Sequence, residues 1–245
     1  MNKTIIIAGD SWGCGEWGNS LPHCGISHVG LTKYLLDSGY CVVNLSGPGG
    51  SNKYASDRIS DFLQVNQQLQ ISYVIVFQTE WLRDVLIEDP VNLKEDLIHG
   101  YIGLKNRLIS RFYYKLSRAS VKNNIPIHIV GGCGDTIWLD QFEKKYPGLQ
   151  IICQSLTNLL VNGDHRNPDP VHCIFSKRDE EKINYIKKHL KTADLELLLD
   201  DIDKGSKRVD LWANNKEYFW PDGCHANRQA HQILFEFLKA QIPSL

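Results

Sequence analysis

Two stretches at opposite ends of this 245-residue chain hold residue types that together do nucleophilic chemistry. Near the start, Gly9-Asp10-Ser11 follows the apolar, β-branched run Thr4 to Ala8. Near the end, Asp222 and His225 stand three apart in Phe219-Trp-Pro-Asp222-Gly-Cys-His225, just before an amphipathic segment. A hydroxyl is a weak nucleophile until a base takes its proton. An imidazole does this near neutral pH, and a carboxylate fixes its tautomer and stabilises the imidazolium. In a turn or a first helical coil, a spacing of three lets Asp222 reach His225. Each stretch alone has an ordinary structural reading, Ser11 as a turn residue and Asp222 as a helix cap. Together, Ser11, His225 and Asp222 have the composition of a serine-hydrolase centre.

Such a centre needs a scaffold that brings the two ends of the chain to one place. Thr4 to Ala8 suits a strand buried on both faces, with the serine at its carboxyl end, where open α/β sheets bind ligands. Similar runs predict strands at Cys41 to Leu45, Tyr73 to Phe77, Pro126 to Val130 and Gln150 to Cys153. Helical spacing is expected for Ser27 to Ser38, closed by Gly39, and for Ala55 to Leu69, Asn92 to Lys122 and Leu139 to Lys145. Asp179 to His189 and Ala226 to Ala240 complete the helical stretches, while the pattern blurs between Ser155 and Leu211. Strands alternating with helices imply right-handed crossovers and a mainly parallel five-stranded sheet within one α/β domain spanning 1–245.

Composition narrows the partners. Lys plus Arg is 27 against 28 for Asp plus Glu, which leaves no electrostatic footprint for nucleic acid or an anionic membrane. No window approaches the length of a membrane span. The first apolar run is too short for a signal-peptide core, and seven cysteines without regular spacing predict a reducing, cytoplasmic setting. Cys14, Cys24 and His28 are read as thiols and an imidazole without a metal, because no second well-spaced pair accompanies them. Gly13-Cys-Gly15-Glu-Trp-Gly18 matches G-x-G-x-x-G, but the strand stops at Ala8 and no helix opens on Gly18, so a dinucleotide site is not expected. No cofactor is expected.

Taken together, these stretches resemble the SGNH (GDSL-type) hydrolases. The resemblance rests on Gly9-Asp10-Ser11 after the first strand, the Asn44-to-Gly49 segment after the second, and Pro221-Asp222-Gly-Cys-His225 before the last helix. It implies a flavodoxin-like three-layer fold, with Ser11 as nucleophile, His225 as base and Asp222 as its partner. It further implies an oxyanion hole built from the backbone N–H groups of Ser11 and Gly49. The family pattern after the third strand, Gly-x-Asn-Asp, reads here Gln78-Thr79-Glu80-Trp81. Glu80 thus stands where an asparagine donor is expected. An ionised carboxylate at contact distance would repel a developing oxyanion by about 4 kcal/mol at intermediate dielectric. Gln78, Thr79, Asn52 and the indole of Trp81 are the candidate replacement donors.

The expected substrate is a small carboxylic ester or an O-acetylated carbohydrate. The alternative is a non-catalytic binding module on the same fold, its oxyanion hole degraded at Glu80. Trp12, Trp81, Trp138 and Trp220 each stand near a strand end or the Asp–His pair and are expected at one rim, as substrate walls or packed under loops. His165, His172 and His231 lack partners at diagnostic spacing and are expected to be surface or structural.

Overall fold

The computed structural model of the chain describes residues 3–18, 25–85, 93, 95, 97–136, 141–167, 169–172, 180–220, 225–243 and 245. Strands β1 (Thr4–Ala8), β4 (Cys41–Asn44), β5 (Ile71–Gln78), β6 (Ile127–Gly131) and β7 (Leu149–Cys153) form a sheet in the order β4-β1-β5-β6-β7. Every neighbouring pair is parallel, so all five carboxyl ends lie along one edge. The chain leaves β1 to build β4 on one side and later returns to build β5 on the other. This reversal of strand order opens the crevice in which doubly wound sheets bind their ligands, and Ser11 follows β1 directly.

The strand sequences dictate this burial. Ile5, Ile7, Tyr73, Ile75 and Phe77 point to one face, and Ile6, Ala8, Val74 and Val76 to the other, which is the period-two alternation of a sheet covered on both sides. On the second face pack α3 (Asn52–Val65) and α4 (Gly100–Asn123). Tyr101, Leu104, Phe112 and Leu116 recur at helical spacing along α4, and burying each contributes about 1.5–3 kcal/mol. On the first face pack α2 (Leu31–Asp37), α6 (Leu156–Asn162) and α9 (Arg228–Gln241), with Leu35, Leu160 and Leu234 in the core.

Several boundaries differ from the sequence reading. Residues Ser27 and His28 belong to an antiparallel hairpin, β2 (Glu16–Gly18) with β3 (Gly25–His28), and the helix starts only at Leu31. The glycine-rich segment holds α1 (Ser11–Cys14) and β2 rather than one open loop. The blurred stretch contains α6, α7 (Glu180–Lys187) and α8 (Thr192–Asn214). Helix α8, about 34 Å long at 1.5 Å per residue, contributes Leu198 to one core layer and Trp212 to the other. A short helix α5 (Phe142–Lys145) precedes β7. Among the described residues no helix is long and apolar enough to cross a membrane.

Candidate active site

The nucleophile turn is built by three residues. Gly9 adopts φ +149°, and a Cβ there would stand 2.8 Å from the Cβ of Phe77 and 2.9 Å from its carbonyl oxygen, so only glycine lets β1 end this close to β5. Asp10 caps α1, its Oδ1 accepting from the N–H of Trp12 at 3.0 Å. Ser11 is then the first residue of α1 and is 8% exposed. The loop after β4 lies alongside: Gly47 N–H donates to the Gly9 carbonyl at 3.1 Å, and Asn44 Nδ2 donates to the Gly13 carbonyl at 2.8 Å. Gly49 is exposed at φ +68° and a Cβ would meet no protein atom within 4 Å, so the backbone conformation asks for glycine while its outer face stays open.

The far end of the chain reaches this turn through the hairpin. Trp17, on β2, donates its indole N–H to the Ser11 carbonyl at 3.1 Å. The same ring packs on the imidazole of His225, with centroids 5.4 Å apart and planes inclined by 30°. One side chain therefore touches both the serine turn and the histidine. Its neighbour Glu16 fixes the segment after His225. The Glu16 carboxylate accepts from the backbone N–H of Arg228 at 2.7 Å, from Nε at 2.9 Å and from Nη2 at 3.3 Å. Burial alone would raise the pKa of Glu16, but the bonds and charge of Arg228 outweigh it and hold the carboxyl below its ordinary value. His225 also accepts at its carbonyl from Trp220 N–H at 2.9 Å, and Asn227 caps α9 through Ala230 N–H. Asp222 lies outside the described residues.

Glu80 does not stand as an open acid beside the serine. Its side chain is 0% exposed and forms an ion pair with Arg83, three residues on in the 3-10 turn Trp81–Asp84. Arg83 Nη1 donates to Asp10 Oδ2 at 3.0 Å and to the Gly50 carbonyl at 3.1 Å, and Nη2 lies 3.9 Å from the Cys133 sulfur. The Thr79 hydroxyl sits 2.8 Å from Asp10 Oδ2 and 2.6 Å from Glu80 Oε2. Burial would push the guanidinium towards neutrality, but the carboxylates of Glu80 and Asp10 raise its pKa and keep it charged. The expected repulsion is thereby corrected: the acid carries its own counter-ion. Asp10, Glu80 and Cys133 bring ligand atoms within 4.8 Å of one another, and the cation among them is Arg83.

Most of the proposed substitute donors are committed elsewhere. Gln78 Nε2 donates to the Asp135 carbonyl at 3.2 Å, and its Oε1 accepts from Tyr113 at 2.6 Å. Asn52 pairs with the backbone of Thr79 through Nδ2 at 3.0 Å and Oδ1 at 2.9 Å, which splices α3 to the end of β5. Trp12 and Trp81 are core rather than rim. Trp12 is 1% exposed against Trp212 and Phe219, and Trp81 is 0% exposed against Tyr101. Trp220 borders a cavity of about 370 Å³ next to the site, shared with Glu16 and Arg228. Trp138 and Cys24 lie outside the described residues. Cys14 is buried with its thiol pushed up to about 11, first by desolvation and then by Asp10. His28 accepts from Gly30 N–H at Nδ1.

His231 and His172 are buried, and burial lowers both imidazoles, His231 to about 4, while His165 packs on Phe237. A second buried network braces the same edge of the sheet. Arg208 of α8 donates to both carboxylate oxygens of Asp135, at 3.1 and 2.7 Å, and Asn167 Nδ2 adds a bond at 2.7 Å.

The sequence reading missed Glu16, Trp17 and Arg83. A signal existed for the last, since Glu80 and Arg83 are an acid and a base three apart.

No protein-family model matches the chain, and no curated protein sequence matches it. Among solved structures it is similar to the psychrotrophic esterase EstA from Pseudoalteromonas sp., at 13% identity and TM-score 0.47, covering 99% of this chain and 98% of that one. TesA is similar at 14% identity and TM-score 0.45, over 99% of this chain and 100% of the other. Est24, a carbohydrate acetylesterase from Sinorhizobium meliloti, is similar at 10% identity and TM-score 0.45, over 99% of both chains. At these identities the chemistry rests on the side chains of this chain.

Proposed function

We propose that this protein is an SGNH-type serine hydrolase that cleaves carboxylic esters, either small acyl esters or O-acetylated carbohydrates, through an acyl-enzyme on Ser11. The observation that carries this reading is the position of Trp17, hydrogen-bonded to the Ser11 carbonyl and packed at a tilt against the His225 ring. One side chain thus contacts both the turn after the first strand and the closing segment, which supports a shared site at the carboxyl edge of the sheet. In the reaction, Ser11 Oγ attacks the ester carbonyl and its proton passes to His225, with Asp222 as the partner of the imidazolium. The backbone N–H groups of Ser11 and Gly49 serve the oxyanion. His225 then returns the proton to the departing alkoxide as the ester C–O bond breaks. Water, deprotonated by His225, releases the acid and restores the serine.

The cavity of about 370 Å³ bordered by Trp220, Arg228 and Asn227 lies beside this centre and offers room for the alcohol portion. A binding module was the alternative because of Glu80. The pairing of Glu80 with Arg83 offsets the repulsion that motivated that alternative, which supports the hydrolase reading.

The test is hydrolysis of p-nitrophenyl acetate by the wild-type chain and by Ser11→Ala and His225→Ala. Turnover is expected from the first alone, with the variants lower by about 10² or more. Equal rates in all three would overturn the reading.

A further inference from the structure

Of the three charged side chains packed under the nucleophile turn, only one reaches the surface. Asp10 and Glu80 are 0% exposed, whereas the Arg83 side chain is 8% exposed. The guanidinium is thus the one member of this buried trio with exposed area, and it contacts both carboxylates. Its fork is held from three directions: Nε by Glu80, Nη1 by Asp10 and by the Gly50 carbonyl. Asp10 is the residue before Ser11, and Gly50 the residue after Gly49, so Arg83 is one residue removed from each of the two backbone donors. The remaining nitrogen, Nη2, has only the Cys133 sulfur at 3.9 Å among the described residues, a weak acceptor that leaves an N–H to give.

We infer that Arg83 is a catalytic residue: its Nη2 donates to the oxyanion formed when Ser11 attacks, as a third and positively charged member of the hole. This rests on the serine-hydrolase reading above. A fixed guanidinium suits the task because it needs no reorientation when charge develops, and in a water-poor crevice its attraction for O⁻ is far stronger than in bulk water. Glu80 then becomes the anchor that aims the fork. Accordingly Glu80→Gln should lower activity, where an unpaired acid beside the oxyanion would have predicted a gain. Arg83 also ties the turn after β1, the loop after β4 and the turn after β5 together, so its test must separate chemistry from folding.

Three variants do this: Arg83→Lys, which keeps the charge without the fork; Glu80→Gln; and Arg83→Met/Glu80→Gln, which removes the buried pair together. Each is assayed on p-nitrophenyl acetate for kcat and KM, for inhibition by phenylboronic acid, whose adduct on Ser11 is a tetrahedral anion, and for its thermal midpoint. The expected result for the double variant and for Arg83→Lys is a kcat lower by about 10²–10³-fold with KM nearly unchanged. Boronate affinity should fall in parallel, and 50 mM guanidinium chloride should restore part of kcat in the double variant. A folded double variant that keeps kcat and boronate affinity within threefold of wild type would overturn the inference. Should that variant not fold, Arg83→Lys with unchanged kcat would overturn it equally. Wild-type protein inert towards the ester would instead overturn the serine-hydrolase reading itself.

Discussion

Replacing Trp17 tests whether the hairpin holds the base over the nucleophile. The indole N–H bond to the Ser11 carbonyl, at 3.1 Å and between neutral groups, contributes about 0.5–1.5 kcal/mol. The ring contact with His225, centroids 5.4 Å apart, contributes about 0.5–1.5 kcal/mol more. Trp17→Leu removes both, together about 1–3 kcal/mol. If that energy holds the reactive geometry, kcat/KM for p-nitrophenyl acetate falls about 5- to 160-fold at 1.36 kcal/mol per decade. Trp17→Phe keeps an aromatic face but loses the donor, so its expected loss is smaller, about 2- to 12-fold. Near-ultraviolet circular dichroism and a thermal melt establish that both variants remain folded. A folded Trp17→Leu within twofold of wild type would refute the reasoning, because the ring would then be packing without positioning anything.

The other expectations concern stability and its pH dependence. Arg208→Met strands the buried Asp135 carboxylate and should cost about 3–5 kcal/mol in urea unfolding, whereas Asp135→Leu/Arg208→Met should cost much less; a loss under 1 kcal/mol for the single variant contradicts the buried-pair reading. For Glu16, whose carboxyl is lowered in the fold, the stabilisation is present above the ordinary Glu value near pH 4.3 and fades as pH drops through the lower folded value. Glu16→Gln should therefore lower the thermal midpoint by roughly 2–4 °C at pH 7, and the two proteins should converge as pH falls from the ordinary Glu value through the lower folded value. An equal gap at both ends of that range would show that the charge of Glu16 is not what holds Arg228.

The sheet was legible because its strands are apolar, β-branched runs cut by glycine or proline, a pattern few other structures satisfy. All five strands fall within about two residues of the expected positions. The hairpin was not legible: its strands have three and four residues, one lies within a glycine-rich segment, and its outer positions are exposed. Helix α8 escaped because Asp and Lys crowd its apolar positions, so the pattern blurs in the sequence although the helix buries Leu198 and Trp212. Trp12 and Trp81 were placed at the rim from their position after a strand, but sequence gives position without direction, and both rings turn into the core. Glu80 was read through its charge alone. Its meaning changed once the fold supplied Arg83 and Asp10 beside it.

The most direct measurement is the site and rate of labelling by a fluorophosphonate, mapped by peptide mass spectrometry. The label should sit on Ser11 alone, vanish in Ser11→Ala, and form at least about 10²-fold more slowly in His225→Ala. Modification of another serine, or an unchanged rate without the imidazole, would contradict the claim that Ser11 is a nucleophile activated by His225.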